Sequence, residues 1–102
     1  MLSKHKRIKD KKMIKECRLD HCEHCPNMPA YGEPHHIYTV GSGGGDIKEN
    51  LIQLSCANAC HTKAHTGEIS KDELLLIVAE REGKTVEQIK AINRRAMGYD
   101  VE

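Results

Sequence analysis

The clearest hydrophobic pattern lies in the last third of the chain. Ser70-Lys71-Asp72-Glu73 has a hydroxyl at a helix cap and a glutamate three residues on, the spacing of a capping box. Leu74, Ile77 and Val78 follow at helical intervals, and Gly83 suits the left-handed position that ends a helix. Thr85 opens a second helix, with Glu87 in its first turn, apolar positions at Val86, Ile89, Ala91, Ile92 and Ala96, and Gly98 as its stop. Residues 69–102 therefore read as a helical hairpin. In the middle, Pro34-His35-His36-Ile37-Tyr38-Thr39-Val40 has the β-branched and aromatic content of a strand, Gly41 to Asp46 reads as a flexible turn, and Leu51-Ile52-Gln53-Leu54 as a second strand. A short helix is expected over Ala57 to Thr66, ended by Gly67. Residues 1–20 have weaker apolar spacing, at Ile8, Met13, Ile14 and Cys17, and read as a basic lead-in that forms a helix.

Composition sharpens this picture. The 102 residues suffice for one domain, 1–102, of α+β class, and its core is poor: there is no Phe or Trp, and apolar residues make up 38%, against ~45–50% in a typical domain. A chain this small with so thin a core needs a staple. No stretch is apolar enough to span a membrane, and the run Leu74 to Ala79 is flanked by charges. Lys4, His5, Lys6 and Arg7 follow the first two residues, so no export signal is legible and a cytoplasmic location is expected. Cysteines in that compartment bind metal more often than they pair, and their number, five, is odd.

Cys22 and Cys25 form a C-x2-C knuckle, and Cys56 and Cys60 a C-x3-C knuckle. Two tight pairs far apart in sequence are the arrangement of a tetrahedral thiolate zinc site, and Pro26 helps to fix the first turn. A redox C-x-x-C would need one pair and a βαβ context, and a two-cysteine, two-histidine finger would need a much shorter gap before His61 and His65. Cys17 is left over, as a core thiol or as the rival for a ligand place.

The same segment holds His35 and His36, adjacent on an expected strand, and His61 and His65, four apart on an expected helix. Imidazoles spaced i, i+4 share a helix face and can grip one ion. Strand neighbours point to opposite sides, so one of His35 and His36 is expected to ligate while the other acts beside it as a general base. A metal with three imidazole ligands keeps open positions, which suits phosphodiester hydrolysis. His21 and His24 have no such argument and read as exposed or as neighbours of the first knuckle.

Glu33-Pro34-His35-His36-Ile37, then Glu49-Asn50-Leu51-Ile52-Gln53-Leu54, then Cys56 to Cys60 with His61 and His65, resembles the HNH endonucleases over roughly residues 20–66. The resemblance is to small bacterial or phage members with a four-cysteine zinc frame. It implies a ββα-metal module over residues 21–68, with a structural zinc on Cys22, Cys25, Cys56 and Cys60. It further implies His36 as general base, Asn50 as the brace of the loop between the strands, and His35, His61 and His65 as ligands of a catalytic divalent ion. The spacing of His61 and His65 is similar to that of the colicin nuclease domains, which lack the cysteine frame, so the chain combines two branches. The implied activity is hydrolysis of DNA phosphodiester bonds, as a nick or a double-strand cut, with 5′-phosphate and 3′-hydroxyl ends. Neutral histidine ligands favour manganese, nickel, cobalt or zinc over magnesium. The alternatives are a non-catalytic zinc-ribbon DNA-binding module and a phage nuclease subunit active only with partners.

Charge adds a partner. The net charge is only +1, yet Lys4, Lys6, Arg7, Lys9, Lys11, Lys12, Lys15 and Arg18 crowd the lead-in against Asp10 and Glu16. Such an arm follows a phosphate backbone, or else is simply solvated. Lys4, Lys6, Arg7, Lys9, Lys11 and Lys12 are expected to contact DNA phosphates, as is Lys63 on the histidine helix. Arg94 and Arg95 are better read as cations at a helix C-terminus. The glycine run lacks the lysine and hydroxyl of a nucleotide loop. The expected partner is DNA, bound through its backbone by a monomer or a homodimer, with no membrane.

Overall fold

The structure is a computed structural model that describes residues 7–99. Its elements are α1 (Lys11–Glu16), β1 (His35–His36), β2 (Leu51–Ile52), α2 (Cys60–Thr66), α3 (Lys71–Glu82) and α4 (Val86–Ala96), with 3₁₀ turns at Val40–Ser42 and Lys48–Asn50. The class is α+β. The two strands pair antiparallel, with His35 opposite Ile52 and His36 opposite Leu51.

Both strands are shorter than the hydrophobic pattern suggests, for a local reason. Beyond Ile37, the Asn50 side chain occupies the backbone of Tyr38, accepting from its N–H at 2.6 Å and donating to its carbonyl at 3.0 Å. Thr39 then caps the turn Val40–Ser42, and the chain leaves the ladder. At the other end, the Gln53 carbonyl accepts from the Glu23 amide at 2.8 Å, and the Ser55 carbonyl from the Tyr31 amide at 2.8 Å. The expected strand over 51–54 thus pairs twice, first with β1 and then with the first cysteine knuckle. Single bridges from His21 to Pro29 and from Ala30 to Cys56 complete that junction.

The second correction concerns α2. It starts at Cys60 rather than Ala57, because Cys56 to Ala59 closes a turn (Ala59 N to Cys56 O, 2.9 Å) with Ala59 left-handed at φ 59°. That turn brings the second pair of sulfurs together.

The C-terminal hairpin forms as its caps suggest, with one exchange. The Ser70 hydroxyl accepts from the Glu73 amide, but the Glu73 carboxylate reaches His24 instead of returning to the cap. The reciprocal box is at the next helix, where Thr85 and Gln88 satisfy each other. Gly83 ends α3 at φ 68°, a conformation costly for any side chain. Leu74, Leu75, Val78, Ala79 and Ile89 join Ile37, Ile52, Leu54 and Ile69 in the core, beside Cys22 and Cys60. Each large aliphatic chain there contributes ~1.5–3 kcal/mol by leaving water. The hairpin also clamps the Lys48–Asn50 turn. Buried Asn93 donates to the Glu49 carbonyl at 3.0 Å, and Arg81 donates to the carbonyls of Lys48 and Leu51. The loop before β2 is therefore held from behind. Among the described residues no helix is long and apolar enough to cross a membrane.

Candidate metal centres

Two clusters of ligating side chains form at the junctions just described. In the first, the sulfurs of Cys22, Cys25, Cys56 and Cys60 all lie within 4.8 Å of one another, and Cys60 is 3.5 Å from both Cys25 and Cys56. Four sulfurs around one zinc at ~2.3 Å would sit about 3.8 Å apart, so the donor set fits. The surrounding groups also suit thiolates. The Cys25 amide donates to the Cys22 sulfur at 3.3 Å, and the Asn58 amide to the Cys25 sulfur at 3.5 Å. The Asn58 amide, His24 and Cys60 together lower the Cys25 thiol to about 7. Burial and the three neighbouring sulfurs push the Cys60 thiol well above its ordinary value. Four sulfurs so close cannot all ionise without a cation among them. His24 sits beside the cluster with Nδ1 3.6 Å from the Cys25 sulfur and 3.7 Å from the Cys60 sulfur, while its Nε2 meets Glu73 at 2.7 Å. It ties the thiols to α3. Cys17 stands apart, in a cavity with Glu16, Lys48 and Arg81, and is no rival for a ligand place.

In the second cluster, His35 from β1 meets His61 and His65 from α2. Ring centroids are 4.9 Å (His35–His61), 5.0 Å (His35–His65) and 4.8 Å (His61–His65) apart. The Nε2 atoms of His61 and His65 lie 3.1 Å apart. Two nitrogens on one ion at ~2.0–2.1 Å would sit roughly 2.9–3.4 Å apart, so this donor set fits as well. His61 Nδ1 is 3.1 Å from the Ser55 hydroxyl, which leaves its Nε2 to face His65. Burial, with the charges of the other histidines, lowers His35 to about 4, and burial followed by His65 lowers His61. Both are neutral at pH 7, the form that ligates.

His36 does not join these three. The alternation of β1 turns it to Asp46, whose Oδ1 is 2.8 Å from His36 Nε2. Burial raises the Asp46 carboxyl, but hydrogen bonds from Arg7, His36 and the Asp10 amide outweigh it and hold the group at about 2. An ionised carboxylate only accepts, so Nε2 donates to it, and in the neutral imidazole Nδ1 is the atom with the free lone pair. His36 nonetheless lines one open cleft of about 400 Å³ with His35, His61 and His65.

Asn50 is fully buried, and its side chain bonds to the loop rather than to the histidines. Besides Tyr38, its amide donates to the Gly45 carbonyl at 3.0 Å, so it braces the chain between His36 and Asp46 and is a positioning residue. Gly44 lets this happen, since a Cβ there would fall 1.8 Å from the Tyr38 carbonyl oxygen.

The lead-in is divided. Lys4 and Lys6 lie outside the described residues. Arg7, expected on DNA phosphate, is instead engaged inside the protein, with Nη1 2.7 Å from Asp46 and 3.0 Å from the Gly44 carbonyl. Lys9, Lys11 and Lys12 are exposed, and α1 buries no residue. Lys63, half-buried on the last turn of α2, has no side-chain partner among the described residues. Asp46 is the functional candidate that sequence reasoning misses. At the end of a glycine run it reads as a turn residue, and no local signal links it to His36 or Arg7. Comparison with known proteins adds no relative to this geometry, since no family model, no curated protein and no solved structure matches the chain.

Proposed function

We propose that the chain is a metal-dependent DNA endonuclease of the HNH type, hydrolysing phosphodiester bonds to leave 5′-phosphate and 3′-hydroxyl ends. One observation carries the reading: three imidazoles, His35, His61 and His65, converge at ligand spacing while His36, its Nε2 held by Asp46, lines the same cleft. A DNA-binding module alone has no use for this second, histidine-only cluster beside the cysteine one. The strand–loop–strand–helix order around it supports a ββα-metal module.

His35, His61 and His65 would hold a divalent ion, which would supply the Lewis acidity that offsets charge on the phosphate and the leaving oxygen. His36 Nδ1 takes the proton of the attacking water as its oxygen bonds to phosphorus. The bond from phosphorus to the 3′ oxygen breaks, and that oxygen is protonated from solvent. Asp46 offsets the charge of the imidazolium that forms, and Asn50 keeps the loop between them in place. Cys22, Cys25, Cys56 and Cys60 would hold a structural zinc that fixes α2 against β2. Lys63 is a phosphate contact at the helix end.

The test is nicking of supercoiled plasmid by the zinc-loaded protein with a panel of added divalent ions, beside a folded His36→Ala variant. Nicking by the wild type alone supports the reading and the base together. Equal behaviour of the two proteins removes His36 as the base, and DNA binding without cleavage in any metal favours a binding module.

A further inference from the structure

An open cleft of about 560 Å³ lies along α1, lined by Lys11, Lys12, Ile14, Lys15, Arg18 and Glu33. None of its four cations has an ion-pair or hydrogen-bond partner for its side chain among the described residues. Four cations elsewhere are paired, Arg7 with Asp46, Lys48 with Glu82, Arg81 with Glu23 and Lys90 with Asp72, while other unpaired ones among the described residues, such as Lys63 and Lys84, do not line this cleft. Apart from Glu33 in the lining, the acids in and beside α1 are turned to other tasks. Asp10 caps α1, and Glu16 lines the cavity of Cys17 on another side. Four unpaired positive charges thus converge on one concave surface with a single carboxylate on its wall. Their mutual repulsion is relieved only by anions from outside, and a row of cations suits a polyanion better than a single small one.

The cleft is also joined to the histidine site. Glu33 lines both, and two residues along the chain from it stands His35. Two residues of extended chain span about 7 Å, so a nucleic-acid strand leaving the histidines reaches the α1 cleft within a few nucleotides.

We propose that the α1 cleft is a second backbone clamp, with Lys11, Lys12, Lys15 and Arg18 gripping the DNA strand a few nucleotides from the phosphate held at the histidines. The proposal rests on the nuclease reading for its ligand. Glu33, on the shared wall, repels phosphate and keeps the two backbone contacts apart.

The experiment measures binding of a fluorescent DNA duplex, and of one of its strands, to the zinc-loaded protein across a salt series. Wild type is compared with Lys15→Ala/Arg18→Ala and with Lys84→Ala/Arg95→Ala, which removes the same charge away from the cleft. Alanine at position 15 keeps the helix propensity of α1, Arg18 lies just beyond the helix, and Lys15→Glu provides a second cleft variant. For the duplex, each lost phosphate contact flattens the plot of log affinity against log salt by ~0.9, so the cleft variant should lose a slope of about 2 and the control almost none. In plasmid nicking, KM should rise while kcat stays unchanged. Equal slopes for the two double variants, or no DNA binding by the wild type, overturn the clamp. Cleavage with a wild-type slope and KM in the cleft variant removes the clamp and leaves the nuclease. A cleft-dependent slope with no cleavage in any metal removes the nuclease and leaves the clamp.

Discussion

His36 Nε2 and Asp46 Oδ1 lie 2.8 Å apart, across a loop whose two ends, at Tyr38 and Gly45, are tied together by Asn50. The same Asp46 oxygen takes Arg7, its second oxygen takes the Asp10 amide at 2.8 Å, and its own amide donates to the Ile8 carbonyl at 2.9 Å. The imidazole that would act as base is therefore oriented by a carboxylate that the lead-in segment itself pins down.

This geometry predicts different outcomes for two substitutions. Asp46→Asn keeps an oxygen that can accept from Nε2–H, so the His36 tautomer persists, but the charge opposite the forming imidazolium is lost. Asp46→Ala removes the acceptor as well. General-base catalysis is worth ~10²–10⁴-fold, which bounds the loss. We expect kcat to fall about tenfold in Asp46→Asn and at least about a hundredfold in Asp46→Ala, with KM little changed. Nitrogen NMR of the His36 ring checks the cause, because only the alanine variant should show mixed tautomers. A fixed tautomer in Asp46→Ala would remove Asp46 as the orienting group.

The histidine triad predicts a metal preference. Three imidazole nitrogens make a poor magnesium site and a better one for nickel or cobalt, with manganese between them. Plasmid nicking should follow that order, and His65→Ala should weaken metal binding by at least about tenfold by calorimetry, as loss of even an outer-shell partner does. The cysteine site should keep its zinc in that variant. Rates in magnesium equal to or above those in manganese would count against three histidine ligands.

How far these features are legible in sequence follows from the range of each contact. The cysteine knuckles are readable because ligand spacing within each pair is local, and the i, i+4 pair His61 and His65 for the same reason. The helix caps at Ser70 and Thr85 are local too, although only the structure shows Glu73 leaving its box for His24. Strand length is not local. Ile37 and Tyr38 look like strand, and it is a buried amide twelve residues later, Asn50, that takes their ladder away. Arg7 illustrates the same limit: in a run of lysines it reads as one more phosphate contact, and only a carboxylate beyond the glycine loop gives it a partner inside the protein.

Removing the structural metal should unfold more than the knuckles. Cys22 and Cys60 are buried in the core beside Leu54, Leu75 and Val78, so the site and the hairpin share one packed interior. A structural zinc contributes ~10 kcal/mol or more of apparent folding free energy, beyond what a core without Phe or Trp holds in reserve. Chelation, or Cys60→Ser, should abolish the cooperative thermal transition and most helical circular dichroism. Retention of the α3–α4 helical signal after chelation would show that the hairpin folds without the zinc site.

The glycine loop offers the sharpest stability test, because neighbouring glycines differ completely in surroundings. A Cβ on Gly44 would meet the Tyr38 carbonyl at 1.8 Å and 2.6 Å, and the Asn50 amide at 2.9 Å. These are backbone atoms and a fully buried side chain, so nothing can swing aside and the brace between His36 and Asp46 must break. A Cβ on Gly41 meets nothing within 4 Å. Gly44→Ala should therefore destabilise by about 2 kcal/mol or more, through overpacking and loss of the Asn50 hydrogen bonds. Gly41→Ala should stay within about 0.5 kcal/mol of wild type, or gain slightly by restricting the unfolded chain. Denaturant unfolding of the two zinc-loaded variants measures the contrast. Similar stabilities would mean that the loop does not hold Tyr38, Gly44 and Asn50 together, and the route from Asn50 to the proposed base would be lost with it.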